Sequence, residues 1–313
     1  MKIHFDNVSF SSRAGPNTFA SRLAKQFIVD GNDVVENAAS ADVSLVFIEA
    51  SGAKLAPKVV HRLDGIWFKP DDFRQHKNAK IIETYERSDA VVFQSQFDSV
   101  MCQKWFGPKE KSTVIRNGID DLPIKDPTKI ANGLMKIRNE YDLVFICSAN
   151  WHPQKRLKTN LEVFDHLRWV LGKKCCLIVM GANPDVYVSD PHVYYAGSIT
   201  HDLCLQAFAV SDWMIHMAWA DHCPNTVVEA LSQHTPVICS SVGGTKELIQ
   251  GYGLVLEEPT YDFGLFDYDS PPDIDSIQLA QLPNKNDLPL DFVKTIDMKN
   301  VAAAYIKTFK ELS

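Results

Sequence analysis

Short, almost wholly apolar runs return at intervals along this chain, and most are followed by a segment with helical spacing. Residues 2–5, 43–48, 58–63, 90–93 and 112–115 read as strands in the first part. Between them, Phe19, Leu23, Phe27 and Ile28 fall on one helical face, and residues 79–87 and 96–106 also read as helices. A second series opens with a strand at 143–148 and a helix at 158–171, then strands at 175–180 and 193–196. A helix at 202–210, a strand at 213–217, a helix at 224–233 and a strand at 236–240 follow, and the series closes with a helix at 245–250 and a strand at 254–256. Near-continuous apolar strands alternating with helices imply parallel sheets covered on both faces and joined by crossovers. The expected class is therefore α/β, with two Rossmann-like doubly wound domains facing a cleft. Such sheets bind ligands beyond the carboxyl ends of their strands.

The chain turns polar from Ile119 to about Tyr141 and carries Pro123 and Pro127 there, which places the linker. The expected division is residues 1–135, residues 136–296, and a last segment, 297–313. In that segment Val301, Ala304, Tyr305, Thr308 and Phe309 recur at helical spacing, so a final helix is expected to cross back onto the first domain. Residues 261–297 are acidic, rich in proline and without a clear period.

With 313 residues, 45% of them hydrophobic, the chain is long enough to bury a core without metal or disulfide staples. A net charge of −7 gives no global attraction for nucleic acid or anionic lipid. The longest apolar run, residues 175–180, is far below the roughly 18 residues of a membrane span. The start, MKIHFDNVSF, lacks the apolar stretch of a secretory signal, and the seven cysteines have no paired spacing. Together these favour a cytoplasmic protein with free thiols and no membrane span. His201, Cys204, His216, His222 and Cys223 lie near one another, but their intervals match no zinc spacing.

The most informative stretch is WADHCPNTVVEALSQHTPVICSSVGGTKELI, residues 219–249. A buried strand ends just before it, and a short polar loop turns directly into a helix. Pro224 suits the first helical turn, and the free N–H groups around Asn225 and Thr226 form an anion site at the positive end of the helix dipole. Glu229, on the first turns, can accept two hydrogen bonds from a vicinal diol such as ribose. Asp221, in the loop, can hold sugar hydroxyls. Acidic residues near a helix N-terminus are also ordinary capping residues, so local chemistry alone leaves both readings open.

Asp221-x7-Glu229, followed by Thr235-Pro236-Val237-Ile238 and Gly243-Gly244, resembles the Glu-x7-Glu signature of retaining glycosyltransferases of family 4, which have the GT-B fold. Gly15-Pro16 resembles that family's glycine loop, Arg116-Asn117-Gly118-Ile119-Asp120 its Asn-Gly segment, and Lys155 its diphosphate-binding lysine. Gly197 and Leu203 match the spaced glycine and leucine before the signature strand. The resemblance implies transfer from a nucleotide-diphosphate sugar to a glycan, lipid or protein-linked acceptor, with no cofactor and no metal. It leans to GDP-mannose as donor, with UDP-sugars the other choice, and allows a homodimer. Implied catalytic residues are Lys155, Arg156, Asp221 and Asp64. The implied donor site comprises Gly15, Pro16, Asn150, Lys155, Arg156, Gly181, Gly197, Ser198, Ile199, Asp221, Cys223, Pro224, Asn225, Thr226, Val227 and Glu229. His61, Arg62, Asp64 and Trp67 fall on the acceptor side.

The sequence departs from that pattern. Asp221 is one methylene shorter than the usual glutamate, and Asn150 stands where arginine is common, so Arg156 is the substitute cation to test. His61 and Asp64 are alternative partners for the donor sugar. These departures keep open a non-catalytic nucleotide-sugar-binding module or an inactive glycosyltransferase subunit. Asp-x-Asp triplets at 267–269 and 273–275 lie in the acidic tail and read as solvated surface, not a metal site. Neither G-x-G-x-x-G nor G-x-S-x-G occurs where a dinucleotide enzyme or an α/β hydrolase needs it.

Overall fold

The computed structural model of the chain describes residues 1–12, 15–120, 123–274 and 276–312. The first sheet contains β1 (Lys2–Asp6), β2 (Asp33–Val35), β3 (Val43–Phe47), β4 (Val59–Leu63), β5 (Ala90–Phe93) and β6 (Ser112–Val114). Their order is β2-β1-β3-β4-β5-β6, and every neighbouring pair is parallel. Helices α1 (Gly15–Val29), α2 (Pro70–Arg74), α3 (Ala79–Arg87) and α4 (Gln96–Phe106) provide connections between these strands. Phe19, Leu23 and Phe27 of α1 are buried as their spacing of four requires, but Ile28 is 59% exposed and does not share that face.

After β6, α5 (Asn132–Glu140) precedes the second sheet, which contains β7 (Leu143–Ser148), β8 (Cys175–Met180), β9 (Val193–Gly197), β10 (Trp213–His216), β11 (Val237–Ser240) and β12 (Gly253–Leu256). The order here is β12-β11-β10-β7-β8-β9, again parallel throughout. Helices α6 (Leu157–Leu171), α7 (His201–Val210), α8 (Asn225–Ser232) and α9 (Thr245–Ile249) complete this unit. The stretch expected to be linker thus holds a helix: α5 runs across the 135/136 boundary, and its Leu134 and Ile137 pack on the second core.

A short turn of helix, α10 (Val293–Ile296), leads into α11 (Met298–Lys310), which returns to the first domain. Tyr305 of α11 lies between Phe19 and Phe27 of α1, with ring centroids at 6.2 and 6.5 Å. The aperiodic segment before α10 is also packed. Trp105 Nε1–H donates to Phe263 O at 3.0 Å and Phe266 N–H to Phe68 O at 3.2 Å, so residues 261–268 strap the second domain to the first. Asp267 and Asp269 both pair with Lys69 in this strap, and Asp275 of the other triplet lies outside the described residues. No helix among the described residues is long and apolar enough to cross a membrane.

Candidate active site

The carboxyl ends of the two sheets face each other across a cleft of about 510 Å³. On the second domain, β10 ends at His216 and the chain enters the loop that carries Asp221. Backbone bonds fix that loop: Trp219 N–H donates to Gln154 O at 2.9 Å, and Gly244 N–H to Asp221 O at 2.7 Å. Pro224 is the N-cap of α8 and not its first helical residue as the sequence suggested. The Val227 N–H already reaches Pro224 O at 3.1 Å. The amides of Asn225 and Thr226 lie ahead of that first intrahelical bond, and both residues line the cleft. An anion placed there meets N–H groups and the positive end of the helix.

Lys155 enters the cleft from the loop after β7, and its Nζ lies 2.5 Å from Asp221 Oδ2. The same carboxylate oxygen lies 3.4 Å from His216 Nε2. Burial by itself would raise the Asp221 carboxyl, but Lys155 and His216 outweigh it and hold the group well below the usual carboxylate range. Asp221 is therefore an ionised acceptor, unable to serve as a proton donor near neutral pH. Glu229, further along α8, is paired across the cleft with Arg22 of α1: Nη2 to Oε1 is 2.8 Å, with His201 Nδ1 3.6 Å away.

On the first domain, Asp64 follows β4 and pairs with Arg62, which is 1% exposed and stacks on Phe19 and Phe47 at 4.4 and 5.0 Å. Burial pushes the Asp64 carboxyl above its ordinary value, against the pull of Arg62. Arg62 Nη2 donates to Asn117 Oδ1 at 2.6 Å, and Asn117 Nδ2 donates to Asn225 Oδ1 and Cys223 O, each at 2.9 Å. Asn225 Nδ2 then donates to Gly15 O at 2.9 Å. This relay joins the glycine loop, β4 and the N-terminus of α8.

The cleft thus gathers Gly15, Pro16, Arg62, Asp64, Asn150, Lys155, Asp221, Cys223, Pro224, Asn225, Thr226 and Glu229 of the expected residues. Arg156 is not among them. It adopts φ 51° at the junction before α6, and its guanidinium turns inward to Glu258, with Nη1 at 2.9 Å from both carboxylate oxygens, over the Trp219 ring at 4.7 Å. It is a structural cation here. His61 is also withdrawn: its Nε2 meets Ile48 O at 2.7 Å, and burial lowers the imidazole to about 4. Trp67 is 47% exposed beside Lys77 and does not line the cleft. Val227 is packed in the core of the second domain. Gly197 ends β9 and Ser198 and Ile199 follow it, all three outside the cleft lining. Gly181 acts from behind it: at φ 111° it lies so close to Ala149 that a Cβ would come 1.7 Å from Ala149 O. Ala149 itself lines the cleft.

His216, Gln94, Thr18 and Ala149 line the cleft without having been singled out as donor or acceptor residues, and Arg22 contacts it through Glu229. His216 carried a signal, a polar side chain closing an apolar strand; Arg22 on an amphipathic helix carried none. The histidines and cysteines clustered in sequence separate in space, His216 facing Asp221 and His222 facing Asp98. Among the described residues no group of three or more His, Cys, Asp or Glu is placed to hold a metal ion.

Residues 140–262 match the sequence model of a family described as glycosyl transferases group 1. Solved structures align over the whole chain. Sucrose-phosphate synthase from Thermosynechococcus elongatus shares 11% identity, covering 100% of this chain and 99% of that one, with a TM-score of 0.73. HepE from Anabaena, solved with UDP, shares 15% identity over 99% of this chain and 100% of that one, with a TM-score of 0.71. The fold is GT-B. A glycosyltransferase from Rickettsia africae shares this GT-B architecture at 13% identity, covering 99% and 98% of the two chains, with a TM-score of 0.63. No curated protein matches the chain in sequence.

Proposed function

We propose that this chain is a retaining, metal-independent glycosyltransferase that takes a sugar from a nucleoside-diphosphate sugar and passes it to a glycan, lipid or protein-linked acceptor. One observation carries the reading: Lys155, Asp221, Glu229 and the free amides of α8 meet in a single cleft, within the segment that matches a glycosyltransferase family. Breaking the bond between the anomeric carbon and the diphosphate oxygen leaves additional negative charge on the leaving group. Lys155 and the amides of Asn225 and Thr226 are the groups available to stabilise it. Lys155 then exchanges Asp221 for phosphate, and the released carboxylate accepts hydrogen bonds from sugar hydroxyls. Glu229 receives the ribose diol, and Asp64 with Arg62 faces the acceptor.

The neighbours solved with nucleotides hold UDP or UDP-glucose, which supports a UDP-sugar donor alongside GDP-mannose. The withdrawal of Arg156 favours the second reading, binding of a nucleotide sugar without transfer, because Lys155 is left without its expected companion. Thermal stabilisation across a panel of nucleotide sugars identifies the donor, since a ligand stabilises by RT ln(1 + [L]/Kd). Transfer or slow donor hydrolysis in excess EDTA, giving an α-linked product from an α-linked donor, supports the enzyme. Inversion at the anomeric carbon, or activity that only added manganese restores, overturns it. Donor binding with no turnover leaves the binding module.

A further inference from the structure

His222 belongs to the second domain by sequence, but its ring sits in the first. The imidazole stacks on Phe68, with centroids 5.6 Å apart and planes 15° apart, and lies 5.7 Å from the Phe97 ring. Its Nδ1 is 3.3 Å from Oδ1 of Asp98, a carboxylate with no exposed side-chain surface. The opposite edge of the ring presses on Gly65, where a Cβ would come 2.4 Å from Nε2. Only a glycine leaves room for the ring, and φ of +103° there also favours glycine. Asp98 is rigidly held, its Oδ2 accepting from Gln94 N–H at 3.0 Å at the start of α4.

We propose that His222 is an interdomain positioning residue: its docking in the Gly65–Phe68–Phe97–Asp98 pocket fixes the adjoining Asp221 in the cleft and makes that placement depend on pH. His222 is covalently next to Asp221, so displacement of the ring moves the backbone that aims the cleft carboxylate. Among the described residues, the charged groups that act on the ring are Asp98 on α4, Asp64 after β4 and Asp221 on its own loop, beside the Phe68 and Phe97 rings. Burial works against the imidazolium, but these three carboxylates outweigh it and raise His222 above its ordinary 6.5. A raised histidine stabilises docking fully below about 6.5 and loses that contribution as pH climbs through the higher folded value. The consequence for the cleft rests on the glycosyltransferase reading above; the docking itself does not.

The test begins with an NMR titration of ¹³C-labelled histidines in the full chain, with His222 assigned by the resonance missing from His222→Phe. A midpoint above 6.5 that drops in Asp98→Asn supports the docking; equal midpoints in the two proteins overturn it. Turnover of UDP-glucose or GDP-mannose against pH then tests the link to the cleft. The wild type should lose kcat as pH passes the His222 midpoint. His222→Phe should lower kcat roughly 10–100-fold, the effect of a small misplacement at a reacting centre, and show no such inflection. A folded His222→Phe protein with the wild-type profile overturns the link. If the wild type turns over neither of these, the donor that the thermal panel identifies takes their place; if no nucleotide sugar is turned over, the proposed function falls and the titration alone decides the docking.

Discussion

Removing the Glu229 carboxylate separates its pairing with Arg22 from the ribose contact proposed for it. In the free protein it pairs with Arg22 at 2.8 Å, each side chain about 10% exposed, and Arg22 Nη1 is buried without a hydrogen-bond partner. Glu229→Ala therefore leaves a guanidinium from α1 facing a cavity with its charge uncompensated. Loss of a charge-assisted hydrogen bond in a mostly buried setting costs about 1.5–3 kcal/mol of stability. The same carboxylate is assigned to the ribose diol, so nucleotide affinity should fall by a similar amount, about 10–150-fold. Calorimetry with UDP and GDP on wild type, Glu229→Ala and Arg22→Gln measures binding, and thermal unfolding measures stability. If Arg22 only orients Glu229, Arg22→Gln weakens binding less than Glu229→Ala, and the double variant is no worse than Glu229→Ala. Unchanged nucleotide affinity in a folded Glu229→Ala protein refutes the ribose assignment.

Arg156→Ala should destabilise the fold by about 3–5 kcal/mol, as expected when one partner of a buried ion pair is removed; chemical unfolding checks this, and a change confined to donor binding would contradict the structural role. His61 is neutral when folded, with its value lowered from 6.5 to about 4 by burial. Its contribution is complete above about 6.5 and is lost as pH falls towards 4, a difference of roughly 3 kcal/mol. His61→Gln should flatten the acid limb of stability against pH; an unchanged limb would show that other groups set it.

The strands of both sheets were legible because buried parallel strands are continuous apolar runs. Residues 143–147 and 175–180 carry that pattern unbroken. Three-residue β2 is too short to show a period, and α5, NGLMKIRNE, has no buried residue to mark a face. The strap over residues 261–268 is held by aromatic rings and isolated backbone bonds, which leave no periodic trace.

The site was legible where spacing along one element decides it: Asp221, Asn225 and Glu229 follow from a loop running into a helix. It failed where one backbone dihedral decides it. Lys155 and Arg156 are adjacent in sequence, yet the left-handed conformation at Arg156 sends one side chain into the cleft and the other into the core. Strand alternation explains the first-domain wall of the cleft as well. His61 and Arg62 leave β4 on opposite faces, so only Arg62 reaches the cleft, and Asp64, beyond the strand end, joins it. Docking of His222 between Gly65 and Asp98 depends on how two domains meet, which no local pattern records.

The central claim is that Lys155 faces the leaving diphosphate. The direct measurement is the rate of nucleoside diphosphate release from UDP-glucose and GDP-mannose, in excess EDTA, by wild type and by Lys155→Ala. Only the interaction that strengthens as the leaving group gains charge accelerates the reaction, so kcat should fall along with donor affinity. Loss of one preorganised electrostatic contact predicts a rate about 10²–10³-fold lower in the variant. A folded Lys155→Ala protein that releases nucleotide at the wild-type kcat would place the diphosphate elsewhere and contradict the account.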